Sequence, residues 1–161
     1  MSYDQTDAGT AFAAIGALEQ LDVEALKVLY RVENSGEDFY NALADRVDNQ
    51  QAAELLRRNG REEAGHARRA LRAISQKLGT EFEPTAEMME RFPVAVPDVV
   101  SPKLLARLVQ GELDGDAGYQ HWADNEPDPE VARLLRLNGR EEALHGERVK
   151  EVLALLESAP S

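Results

Sequence analysis

The chain has 161 residues, 43% of them hydrophobic, with 30 acidic against 18 basic side chains and no cysteine. That size and composition suit one soluble globular domain with a sizeable core. The net charge of −12 argues against nucleic acid and anionic membrane surfaces as partners, and the lack of cysteine excludes disulfides, thiolate catalysis and Cys-bound iron.

Residues 1–21 read as an N-terminal extension in which 10–20 form a short helix, with Thr10 as its N-cap and Gly16 in its interior. No Lys or Arg precedes Lys27 and the apolar run is short, unlike a secretory signal. No 18-residue apolar stretch is present, so a cytoplasmic location is expected by elimination. Residues 22–157 carry the main helical unit. Asp22 caps a first long helix to about Val47, whose stripe includes Leu26, Leu29, Tyr30, Tyr40 and Leu43. Asp48 and Gln51 resemble a capping box opening a second helix to about Leu78, which Gly79 closes.

Pro84, Pro93 and Pro97 break the stretch from 79 to 101, leaving one or two helical turns within EPTAEMMERF. A helix of about 26 residues is roughly 39 Å long, and about 22 linker residues reach roughly 73 Å. The connection therefore spans the bundle and sets the second and third long helices parallel. Ser101 before Pro102 starts the third helix, to about Asp124, and Asp128 before Pro129 starts the fourth, to about Leu156. Residues 158–161 form a tail. The predicted fold is all-α, a four-helix bundle of two antiparallel hairpins joined by a long crossover.

An internal repeat points to chemistry. From Leu55 to Arg69 and from Leu134 to Arg148 the chain reads LLRRNGREEAGHARR and LLRLNGREEALHGER, identical at 11 of 15 positions and offset by 79. The same offset relates Glu33 to Glu112, Glu63 to Glu142 and His66 to His145. Of 19 glutamates, these four lie on the helix faces that otherwise hold Leu, Ala, Val and Tyr. Four buried carboxylates cannot stay ionised without compensating charge. In each Glu-x-x-His the i, i+3 spacing puts carboxylate and imidazole on one face, and one Glu from each remaining helix completes the donor set of carboxylate-bridged di-iron or di-manganese bundles. Zinc, which prefers four ligands, fits six carboxylate-rich donors less well.

The segments YRVENSGEDFYNAL and VQGELDGDAGY, each followed about 30 residues later by REEA-x-H, resemble the rubrerythrin branch of the ferritin-like superfamily over roughly residues 22–157. The resemblance implies a ferritin-like bundle holding two iron ions, with manganese as the alternative, and a homodimer. Rubrerythrins carry an additional carboxylate where this chain has Gly115, whose counterpart on the first helix is Gly36. The resulting six-donor shell is closer to the bacterioferritin type. The Cys-bound iron centre of full-length rubrerythrins is absent, so electrons would come from a separate donor.

Tyr40 and Tyr119 follow Glu33 and Glu112 by two turns and are expected either to hydrogen-bond a ligand carboxylate or to serve as core aromatics. Glu62 is expected to hold the outer ring nitrogen of His145, and Glu141 that of His66, with surface ion pairing as the competing role. Asn59 and Asn138 read as donors beside the ligands or as packing residues, Arg61 and Arg140 as surface charges, and His121 as exposed. Gly36 and Gly115 are expected to leave room for O2, peroxide or an incoming ion. The expected activity is oxidation of ferrous iron or reduction of peroxide or O2. Iron storage, di-manganese catalase and di-iron hydroxylase activities remain open on the same donors.

Overall fold

The computed structural model describes residues 7–158 and consists, over that span, of six helices: α1 (Ala8–Gly16), α2 (Val23–Ala44), α3 (Gln50–Leu78), α4 (Ala86–Met89), α5 (Pro102–Asp124) and α6 (Pro129–Glu157). Residues 1–6 of the N-terminal extension and 159–161 of the tail lie outside it. No helix among the described residues is long and apolar enough to cross a membrane.

Helix starts follow local capping chemistry. Asp22, Ser101 and Asp128 each accept a hydrogen bond from a backbone N–H of the first turn, and Pro102 and Pro129 open α5 and α6. Gly79 ends α3 with φ 71°, a left-handed conformation that glycine adopts without steric cost. Three boundaries differ from the sequence reading. The cap of α1 is Asp7, whose carboxylate accepts from the N–H of Thr10 at 2.8 Å and from its hydroxyl at 3.0 Å, so Thr10 lies inside the helix and Gly16 at its end. Asn49 rather than Asp48 caps α3, accepting from Ala52 N at 2.9 Å. Helix α2 ends at Ala44, because the next N–H groups bond three residues back, Arg46 to Leu43 and Val47 to Ala44, which tightens the turn.

Helices α2 and α3 form one antiparallel hairpin, α5 and α6 another, and α3 packs against α6. Asn59 meets His145 whereas Gln76 meets Asp128, so α3 and α6 are antiparallel. Tyr40 meets Glu112 and Tyr119 meets Glu33, so α2 and α5 are antiparallel as well. Helices α3 and α5 consequently run parallel, as the crossover length requires. The crossover is strapped to α2: Arg31 donates to Glu90 O at 2.9 Å and lies over the ring of Phe92, while Phe92 N donates to the buried Ser35 hydroxyl at 3.0 Å. Within it, Thr85 caps the single turn of α4.

The apolar interior falls into two clusters. One gathers Ile15, Leu26, Leu29, Ile74, Trp122 and Leu135 at the end where α1 docks, and there Trp122 Nε1 donates to Leu18 O at 3.0 Å. The other gathers Tyr40, Leu43, Leu56, Leu105, Val149 and Val152 at the opposite end. Charged side chains occupy the layer between them.

Candidate metal centre

That layer contains all six repeated residues. Glu33 from α2, Glu63 and His66 from α3, Glu112 from α5, and Glu142 and His145 from α6 are buried, both histidines completely. They fall into two overlapping groups, Glu33, Glu63, His66 and Glu142, and Glu63, Glu112, Glu142 and His145, each offering ligand atoms within 4.8 Å of one another. Glu63 and Glu142 belong to both groups, so each could serve two ions.

Both imidazoles turn Nδ1 inward. His66 Nδ1 lies 3.1 Å from Glu142 and 3.4 Å from Glu33, and His145 Nδ1 lies 2.9 Å from Glu63. The two rings stack with centroids 5.2 Å apart. The outward Nε2 atoms meet the carboxylates anticipated from the repeat, Glu141 at 3.1 Å from His66 and Glu62 at 3.3 Å from His145. Tyr119 donates to Glu33 at 2.6 Å, and the buried Tyr40 hydroxyl donates to Glu112. Each tyrosine thus reaches the glutamate of the opposite hairpin. Asn59 and Asn138 do not touch the carboxylates; they donate to the backbone carbonyls of His145 and His66 across the α3–α6 seam, at 3.2 and 3.3 Å.

Two arginines that periodicity does not single out complete the arrangement. Arg148 donates to Glu62 at 2.8 Å and to Asn59 at 3.0 Å, and Arg69 donates to Glu141 at 2.6 Å and to Asn138 at 3.1 Å. Their signal in the sequence is the final position of the repeat, Arg in both copies. Glu62 and Glu141 therefore combine the two roles foreseen for them, contact with a histidine and ion pairing. Arg61 pairs with Glu54 in solvent, Arg140 is exposed, and His121 is exposed.

Gly36 and Gly115 line the centre and the cavity beside it. A Cβ on Gly36 would lie 2.9 Å from Oε2 of Glu63, and one on Gly115 3.1 Å from Oε2 of Glu142. The glycines thus seat the two shared carboxylates and at the same time border open space.

The electrostatics express a crowded anionic cluster. Burial, reinforced by Glu33 and Glu112, pushes the carboxyl of Glu63 well above its ordinary range, and burial with Glu63 and Glu112 does the same to Glu142. Burial opposes ionisation of Glu33 too, but hydrogen bonds with Glu63, His66 and Tyr119 outweigh it and hold that carboxyl at about 2. His66 and His145 are disfavoured as cations by burial, yet their carboxylate neighbours raise them to about 10 and about 12. The donor set fits a pair of divalent cations on chemical grounds: four carboxylates and two inward Nδ1 atoms converge, and the buried Oε2 of Glu112 has no hydrogen-bond partner.

The family model described as Rubrerythrin matches residues 24–153. Comparison with curated proteins gave no significant match, and comparison with solved structures gave none either.

Proposed function

For this chain, which belongs to the rubrerythrin family of ferritin-like di-iron carboxylate proteins, we propose the activity of a di-iron oxidoreductase that oxidises ferrous iron or reduces peroxide or O2. Its metal ligands are Glu33, Glu63, His66, Glu112, Glu142 and His145. The observation that carries this reading is the sharing of Glu63 and Glu142 between two four-residue donor groups, a layout suited to two adjacent ions and not to one. Two iron ions held by these residues would together supply an oxidant with an electron pair, avoiding one-electron radical products.

The protein's own groups do the rest. Glu141 and Glu62 fix the histidine rings so that Nδ1 faces the centre. The tyrosine hydroxyls orient Glu33 and Glu112. The apolar clusters on either side limit the solvent contact of these residues. Because the chain has no cysteine, turnover of peroxide draws on a separate electron donor, and the working unit is proposed to be a cytoplasmic homodimer.

Elemental analysis of protein purified without added metal, followed by stopped-flow mixing of the ferrous protein with O2 and with H2O2, tests the proposal. The expected result is two irons per chain and oxidation faster than that of free iron. Accumulation of far more than two irons per chain would mean storage, and manganese as purified would redirect the assignment to catalase chemistry. Replacing Glu63 and Glu142 together with Ala should abolish stoichiometric binding; retention of both ions would refute the ligand set.

A further inference from the structure

A cavity of about 470 Å³ lies between α2 and α5, with the four central glutamates along its inner side. Its walls are apolar: Val32 and Phe39 of α2, Leu108 of α5, Phe12 of α1 and Val94 of the crossover. The space exists because α2 and α5 make little direct contact and are tied across the centre by the two tyrosine–glutamate hydrogen bonds.

The dimensions exceed what an oxidant needs. One water takes about 30 Å³ of liquid volume, and O2 or peroxide has only two heavy atoms, whereas organic ligands of drug size occupy pockets of about 300–1,000 Å³. Charge narrows the choice further. Every charged residue lining the cavity is acidic, namely Asp7 and the four glutamates, and no Lys, Arg or His is among them. An anion finds no partner there. A path built for hydrated ferrous ions would carry carboxylates along its walls, but here the walls are hydrocarbon and only the exposed Asp7 stands outside the cluster.

We propose that this cavity binds a neutral, apolar organic molecule directly beside the carboxylate cluster. Its placement next to a metal pair rests on the di-iron reading above, whereas the binding itself does not.

The test uses the full chain without added metal and the neutral fluorescent probe N-phenyl-1-naphthylamine. Saturable binding of one probe per chain is expected, displaced by 1-octanol, with octanoate needing about tenfold more because it must bring a negative charge against apolar walls and carboxylates. Gly111 lines the cavity and a Cβ there meets nothing within 4 Å, so Gly111→Phe adds a ring at the cavity lining without a clash at its Cβ. It should weaken probe binding about tenfold, in keeping with displaced apolar contact. Gly118→Phe, on the same helix with an equally open Cβ position but outside the cavity lining, should not.

Four outcomes would overturn the proposal: no saturable signal, equal losses in both variants, octanoate competing as well as octanol, or a signal that disappears as the chain self-associates and a second copy fills the space. Should Gly111→Phe fail to fold, the competitor series on the unaltered chain decides. Iron stoichiometry measured on the same samples separates the two readings. Probe binding without iron binding sinks the metal assignment alone, and two irons per chain without probe binding sinks the cavity assignment alone.

Discussion

Gly36 and Gly115 look like weaknesses in α2 and α5, since glycine inside a helix costs about 1 kcal/mol relative to alanine. Their neighbours explain them: each leaves a hollow that a carboxylate oxygen from the next helix occupies. This separates stability from metal affinity. Gly36→Ala should change the thermal midpoint of metal-free protein little, because the gain in helix propensity is offset by the bond to His145 that a displaced Glu63 gives up. Moving Glu63 removes a donor common to both groups, so affinity for two Mn2+ or anaerobic Fe2+ ions should drop by about 10–100-fold, the range for disturbed ligand support. Calorimetric titration measures this directly, and unchanged affinity would show that Glu63 is not a ligand. The glycines were visible in the sequence as a repeated departure from helix propensity. What fills their hollows was not, because the occupant comes from a different helix.

The α3–α6 seam works as a unit of paired cross-links. Asn59 on α3 reaches the His145 carbonyl on α6, Arg148 on α6 returns to Asn59 and Glu62, and Glu62 meets the His145 ring. Asn138, Arg69, Glu141 and His66 repeat the circuit one repeat further along. Sequence reasoning found the glutamates and asparagines but passed over the arginines, since a long cation on an otherwise polar face looks like an ordinary surface charge. Caps that depend on one local turn, such as Asp22 and Ser101, were readable for the opposite reason. The sequence alone places the cap of α3 at Asp48, one residue before Asn49, whose side chain makes the bond in the folded turn. Arg148→Met should keep the packing volume of the aliphatic stem but leave Asn59 and Glu62 without their shared donor. The expected destabilisation is about 1–3 kcal/mol by urea unfolding, together with weaker metal binding through a loosened His145. A stability change with unaltered metal affinity would mean that the circuit braces the helices and does not position the ligand.

For the whole molecule, the two apolar clusters are separated by a layer whose charges oppose folding until something compensates them. The crossover length was enough to predict which helices run parallel, but the division of the core into two clusters was not legible, because a helix stripe reports burial and not the order of layers. The charged layer makes stability depend on pH with a definite sign. Burial and neighbouring carboxylates raise the folded-state pKa of Glu63 and Glu142 above the unfolded value of 4.5. A group shifted in this direction supports folding fully below its unfolded pKa, and that support disappears as pH rises toward the folded value. Replacing both residues with Gln keeps their shape and removes this titration. In chelator-treated samples, the melting temperature of Glu63→Gln/Glu142→Gln relative to the unaltered chain should therefore climb as pH rises above 4.5. Adding Fe2+ without oxygen, or Mn2+, should reverse the order: an ion bound only by the folded state raises the melting temperature with its concentration, and only the unaltered chain retains the shared donors. Parallel pH profiles, or equal metal-induced shifts in both proteins, would mean that these two carboxylates neither strain the fold nor bind the ions.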